Sequence, residues 1–292
     1  MSAEDEEFTG YAAGTEEPTL RGIPLPDNAR FAVRIQLVLE HWDSQATLTA
    51  PDGRRVSDYR TISAQLYGVR TGFRRLLDVM DECGTVATVS TTGNCGVHWP
   101  ELVDEMVRRG HEVVGHAYSQ DEEVALMGED DDYRTVMKTV AALEKASGYR
   151  PVGWASGAAR RGPFTAKSLL RAGVFHTNDF READVPFVAA RLGRRRLVAM
   201  PRTDEINDNY ALYNAGHTPA NYVDYFKRTF DRLYVESDEH PGRVLTAVAH
   251  STLLGRPWGA AALAECCAYT KQHADVWQTT SRAIAEHYLE KL

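Results

Sequence analysis

Short apolar runs alternate along the chain with amphipathic segments of helical period. Phe31 to Leu39 (FAVRIQLVL) is an apolar run of strand length. Residues 67–82 set Phe73, Leu76, Leu77 and Met80 at i, i+3, i+4 and i+7, which predicts a helix stopped at Gly84. A β-branched strand follows at 85–91. Pro100 opens a helix with Leu102, Val103, Met106 and Val107 on one face and Gly110 as terminator. The pattern then predicts a strand at 111–118, a helix at 122–147 ended by Gly148, and a strand at 151–156. A helix at 164–172 closed by Gly173 and a strand at 174–178 come next. Residues 197–202 read as a strand after a basic turn, Arg194 to Arg196. A helix near 219–236, striped by Tyr222, Phe226, Phe230 and Leu233, precedes a strand at 244–250. A helix at 257–273, a strand at 276–280 and a terminal helix complete the chain.

About eight strands, mostly separated by helices, predict parallel βα units. An open doubly wound sheet and a barrel both satisfy that order. The polar residues decide between them: Glu40 and His41, His116, Asn178 and Asp179, Arg202 to Glu205, and His250 all fall at strand carboxyl ends. A barrel gathers such ends around one mouth, where its active site sits. No GxGxxG or Walker loop follows a strand, so a nucleotide fold has no motif support.

Charge sharpens the domain organisation. The 292 residues carry a net charge of -8. Residues 1–30 hold seven acidic and two basic side chains, so five of those charges belong to an N-terminal arm. Pro18, Pro24 and Pro26 disfavour helix in the arm, while Leu20, Ile23 and Leu25 are apolar enough to dock on a neighbouring surface. The expected organisation is this arm, 1–30, and a single catalytic barrel domain, 31–292. Without a basic stripe, neither nucleic acid nor an anionic membrane surface is an expected partner. The four cysteines form no CxxC pair, the N-terminus has no apolar signal region, and no apolar stretch is long enough to span a bilayer. A cytoplasmic protein acting on a small molecule is the expectation.

The candidate chemistry lies at the strand ends. In LEHWD (39–43), Glu40, His41 and Asp43 can accept protons or bind metal; the bland reading is a capping turn. In GHAYSQD (115–121), His116 ends a strand and Gln120 can hydrogen-bond an amide. His250 ends an apolar strand and suits general acid work, because its reference pKa of about 6.5 lies near operating pH. In RTDEINDN (202–209), Glu205, Asn207 and Asp208 offer donors and acceptors for an amide-rich ligand. In VGWASGAARRGP (152–163), Trp154 is a candidate pocket wall, and Ser156 with the Gly157–Ala158 backbone a candidate oxyanion site. No GxSxG elbow surrounds Ser156, which argues against a nucleophile. His176, Asn178 and Asp179 would face the same mouth.

The order of these segments resembles the polysaccharide deacetylase (NodB-homology) superfamily, above all its allantoinase-like and cyclic-imide-hydrolase-like branch. The match runs from about Leu20 through YGVRTGFRRLLDVMDECGTVATVSTTG, WPELVDEMVRRGHEVVGHAYSQ, EKASGYRPVGWAS, AMPRTDEINDN and AVAHSTLLGRPWG. The resemblance implies a distorted (β/α)7 barrel of the α/β class and hydrolysis of a carbon–nitrogen bond other than a peptide bond. Polysaccharide-active members bind a divalent metal through one Asp and two His, beside an Asp base. Here Glu40-His41 replaces the Asp pair and Gln120 replaces the second metal histidine; a zinc ion, if bound, would draw on His41 and His116. The resemblance assigns His250, at the place of the family's late-strand histidine, as general acid, and it suggests a homo-oligomer, up to a tetramer. Beside it, Glu40 is the candidate general base and His116 a candidate for orienting water or binding an oxygen. His41, Gln120, Trp154, Ser156, Glu205, Asn207 and Asp208 are the candidate substrate contacts. The expected reaction is metal-free hydrolysis of a small cyclic amide, imide or ureide. The alternatives are a metal-dependent de-N-acetylase of a saccharide and a non-catalytic ligand-binding barrel.

Overall fold

The computed structural model describes residues 7–10 and 22–292. Pro18, Leu20 and most of the acidic cluster of the arm lie outside the described residues. The chain begins with β1 (Phe8–Gly10), β2 (Phe31–Leu39), the ribbon β3 (Thr47–Thr49) and β4 (Arg55–Ser57), and α1 (Tyr59–Tyr67) and α2 (Phe73–Glu82). It continues with β5 (Ala87–Thr91), α3 (Gly93–His98), α4 (Pro100–Arg108), β6 (Glu112–Gly115), α5 (Glu129–Ser147), β7 (Gly153–Trp154), α6 (Thr165–Arg171) and β8 (His176–Thr177). Then come β9 (Phe187–Leu192), β10 (Arg195–Ala199), α7 (Pro219–Glu236), β11 (Val244–His250), α8 (Pro257–Thr270), β12 (Val276–Gln278) and α9 (Ser281–Glu290).

Strands β10, β8, β7, β6, β5, β2 and β11 lie side by side in that order, all parallel. The hydrogen-bonded ladder stops there, between β11 and the β10 side. The chain leaving β10 spans this seam: Asn207 bridges Val248, Thr203 Oγ1 accepts from the Thr246 amide, and Thr246 Oγ1 donates to the Pro201 carbonyl at 2.8 Å. The result is the distorted barrel of βα units, with side chains replacing ladder bonds at the seam.

Residue alternation on β2 shows how the barrel is filled. Val33, Ile35, Leu37 and Leu39 face outward into the main apolar core, with Phe73, Leu76 and Leu77 of α2 and Leu263 of α8. Arg34 and Gln36 face the lumen, where Arg34 reaches Thr246, Asn178, Ser281 and the Pro201 carbonyl, and Gln36 donates to Ser90. Glu112 accepts from Thr88 and pairs with His176 at 2.8 Å. All these lumen groups are buried, so the polar positions within the apolar run mark a hydrogen-bonded interior rather than a wet face.

The structure departs from the sequence reading in several places. Strands expected at 111–118, 151–156 and 174–178 contract to two to four residues, and the polar residues beyond them turn into mouth loops. Ala117, left-handed at φ 57°, is one such turn. Arg195 and Arg196 belong to β10 rather than to a turn; they pair with Leu192 and Arg191 in an antiparallel hairpin through Gly193. Phe8–Gly10 adds antiparallel to the outer edge of β9. Ile23 and Leu25 are buried within this same chain, against Met200, Ile284 and Tyr288. Among the described residues no helix is long and apolar enough to cross a membrane.

Candidate functional site

Parallel register sets the height of the key groups. Leu39 pairs with Thr91, and Thr91 with Gly115. The residues just beyond, Glu40 and His116, therefore emerge together at the carboxyl edge. On the other flank His250 pairs with Val38. Loops fasten this edge: the Gln120 amide donates to the His41 carbonyl, the Asp43 amide to Ser119 Oγ, and Asn94 Nδ2 to Asp43. These bonds use the polar LEHWD and GHAYSQD residues partly as fasteners, which is the bland role considered above.

Glu40, His116, Gln120, Ser156, Glu205, Asn207 and His250 all line one cavity of about 470 Å³. That size suits a small ligand. A second cavity, about 780 Å³, opens beside it past Trp42 and Trp258 and shares Glu40 and His250.

Hydrogen bonds assign the protons. His116 Nδ1 stands 2.6 Å from the Ala155 carbonyl, which can only accept, so Nδ1 carries hydrogen. His116 Nε2 then faces Glu40 Oε2 at 3.7 Å. Burial alone would raise the Glu40 carboxyl, but contact with His116 and the charge of His250 prevail and hold it below the usual carboxylate range. On the far wall, His250 Nδ1 meets Asp208 Oδ1 at 2.5 Å. Asp208 Oδ2 accepts from the His250 and Leu254 amides. Burial works against a charged His250, yet the Asp208 carboxylate, joined by Glu40, pushes its pKa up to about 8. The site thus holds an ionised carboxylate and a protonated imidazole together near neutral pH, the pairing that general base–acid chemistry requires.

Helix packing holds the His250 turn in place. The π-helical segment between α1 and α2, Gly68–Gly72, presses on Ser251, and a methyl at Gly72 would lie 2.0 Å from the Ser251 carbonyl. Arg75 donates to the Gly255 carbonyl at 2.6 Å.

Several expected contacts are corrected. Asp208 is fully buried and spends both oxygens on His250, Leu254 and Asn209, so it orients the histidine instead of touching a substrate. Trp154 is no pocket wall: it is buried in the core beneath, and its Nε1 donates to Ser156 Oγ. The Ser156 amide and hydroxyl both donate to Asp179, which removes them as oxyanion donors. Ala158 and Ala159, left-handed at φ 50° and 54°, take that wall instead. His41 turns from the cavity to an edge-on contact with Trp99 at 4.7 Å. His176 and Asn178 are lumen groups bound to Glu112 and Arg34, and Asp179 holds Ser156.

Gln36 and Arg202 are among the lining residues that escaped the sequence reading. Gln36 sat inside an apolar run, where its alternation with Arg34 was the available signal. Arg202 was noted only as a strand-end polar group, yet its side chain is 8% exposed and lines the cavity.

The donor set does not fit a divalent metal. His41 points away, Gln120 offers a neutral amide, and the described residues contain no group of three His, Cys, Asp or Glu able to hold an ion.

A barrel mouth with a carboxylate, an oriented imidazole and amide-type donors defines the class: a hydrolytic site of deacetylase-like architecture. The comparisons make this specific. Residues 59–174 match the model of the family described as Polysaccharide deacetylase. A Schizosaccharomyces pombe protein described as "Putative polysaccharide deacetylase" is 25% identical over 299 residues, covering 92% of this chain and 93% of the relative. The solved structure of a probable polysaccharide deacetylase from Pseudomonas aeruginosa PAO1 matches at TM-score 0.81 and 26% identity, over 91% of this chain and 93% of that one. PuuE allantoinase matches at TM-score 0.81 and 25% identity, over 94% of each chain. Residues 59–174 thus carry a polysaccharide deacetylase domain, and a probable deacetylase and an allantoinase stand among the structural neighbours of the chain.

Proposed function

We propose that this deacetylase-family hydrolase cleaves a non-peptide carbon–nitrogen bond in a small cyclic amide, imide or ureide, by general acid–base attack of water. The carrying observation is the convergence of Glu40 and the His250–Asp208 pair on one small cavity. Glu40, ionised, takes the proton of the attacking water, and His116 Nε2 orients that water from the opposite side. Negative charge then develops on the carbonyl oxygen. Gln120 Nε2, buried and unpartnered, and the Ala158 turn are the groups available to hold it. His250 gives its Nε2 proton to the departing nitrogen, while Asp208 keeps Nδ1 protonated and the ring aimed. Water attack without a Lewis acid places more of the barrier on these fixed dipoles.

The allantoinase neighbour supports a small nitrogenous substrate over a polymer. The test is a screen of hydantoins, cyclic imides, ureides and N-acetyl sugars with the full chain. Turnover of a cyclic amide or ureide that is lost in Glu40→Gln and in His250→Ala is the expected result. Dialysis against a chelator should leave that turnover unchanged. Activity confined to N-acetyl sugars, lost on chelation and restored by zinc, would overturn the reading in favour of a metal-dependent de-N-acetylase.

A further inference from the structure

Three polar groups that line the cavity keep hydrogen-bonding capacity open. Gln36 Oε1 and Gln120 Nε2 are buried and unpartnered. Arg202 is the third. Its Nε donates to Asp204 at 3.2 Å and its Nη1 to the Asn178 carbonyl at 3.4 Å, while Nη2 donates to nothing among the described residues. Asp204 is moreover shared, since Arg181 Nε stands 3.0 Å from its other oxygen. One partly exposed carboxylate thus serves two guanidinium groups, and Arg202 is the buried one. Arg34 adds a further cation below; burial and the charge of Arg202 together push its pKa down to about 9. Among the described residues, this buried guanidinium shares the one carboxylate it pairs with and keeps a nitrogen without a hydrogen-bond partner, which matches a carboxylate in charge and shape.

We propose that Arg202 is a specificity-determining residue that binds a carboxylate on the substrate, so that the preferred compound is an anionic cyclic amide or ureide acid. Gln36 Oε1 takes an N–H of the same molecule, and Gln120 Nε2 a carbonyl oxygen. The inference rests on the hydrolase reading above, and the experiment separates the two.

Hydantoin and 5-carboxymethylhydantoin form a matched pair that differs only in the carboxylate arm. The wild-type chain should favour the acid by about 10- to 100-fold in kcat/KM, the range of a charge-assisted pair. Arg202→Met should erase the difference between the two compounds, mainly through KM, and Arg202→Lys should retain part of it. Equal use of both compounds by the wild type, or an unchanged preference in Arg202→Met, overturns the proposal. Calorimetry on Glu40→Gln, with and without Arg202→Met, reads binding without chemistry. Binding of the acid that depends on Arg202 supports the proposal even if neither compound turns over, which would sink only the hydrolase reading. Equal binding by the two variants, or none by either, overturns it.

Discussion

Asp208 decides what His250 can do. Its Oδ1 holds the ring nitrogen at 2.5 Å, and its Oδ2 accepts two backbone amides of the following turn. The raised pKa of about 8 is the consequence, and its sign sets the pH profile. The acid form of His250 is complete well below pH 8 and is lost as pH rises through that value. Glu40 is ionised down to below its ordinary value. Turnover should therefore hold a plateau across neutral pH and fall on an alkaline limb near pH 8. Asp208→Asn removes the charge that opposes burial, so the alkaline limb should move down toward or below pH 6.5 and kcat should drop about 10²- to 10⁴-fold. An alkaline limb that stays near pH 8 in Asp208→Asn would show that another group sets it. Linkage gives a second readout. With its folded pKa raised, His250 stabilises the fold fully below about pH 6.5, and that contribution fades as pH climbs through 8. The wild type should lose thermal stability over that window by more than Asp208→Asn does.

At the scale of elements, most of the architecture was legible because burial imposes a period. The strands Phe31–Leu39 and Val244–His250 and the helix Pro219–Glu236 lie where the pattern set them. The hairpin β9–β10 was missed because its arginines lie near an edge, where apolar alternation is interrupted by charge. The lumen was missed for the opposite reason: Arg34 and Gln36 pair with groups distant in sequence, so their alternation within the run does not announce what they bind. The same holds for the site. Glu40, His116 and His250 were readable as strand-end residues, but the roles of Asp208, Ser156 and Trp154 depended on which neighbours they meet. Gly72 is a case where element packing overrides propensity. It sits at helical φ, where Ala is the better residue by about 1 kcal/mol. Yet an added methyl would meet the backbone carbonyl of Ser251 at 2.0 Å. Gly72→Ala should thus destabilise by roughly 1–3 kcal/mol, as overpacking does. Because Ser251 follows His250, kcat should fall as well. Unchanged melting and unchanged kcat would mean that the turn yields freely.

The whole molecule depends on how its barrel is closed. Ladder hydrogen bonds join each parallel strand to the next except at the seam, and there Arg34 gathers the two flanks beside the Thr203, Thr246 and Asn207 contacts. Arg34 on β2 donates to Thr246 on β11 at 2.9 Å, to Asn178 beyond β8 at 2.8 Å, to Pro201 beyond β10 at 3.0 Å, and to Ser281 at the start of α9. No other described side chain reaches all four. The loop from Pro201 to Asp208 that spans the seam also carries Arg202, Asn207 and the His250 partner. Closure and catalysis are therefore fastened at one place. Arg34→Met keeps the bulk but removes every donor, leaving buried acceptors unpaired at a cost of about 2–5 kcal/mol. For a chain of this length that corresponds to a fall in Tm of roughly 3–8 °C. Arg34→Lys restores the charge at one point but cannot span the seam, so its Tm should fall between the two. Loosening of the 201–208 loop should add a kcat loss measured well below the melting range, where both variants remain folded. If Arg34→Met melts with the wild type and turns over equally fast, the seam is held by its backbone bridge and the Thr246 contacts alone.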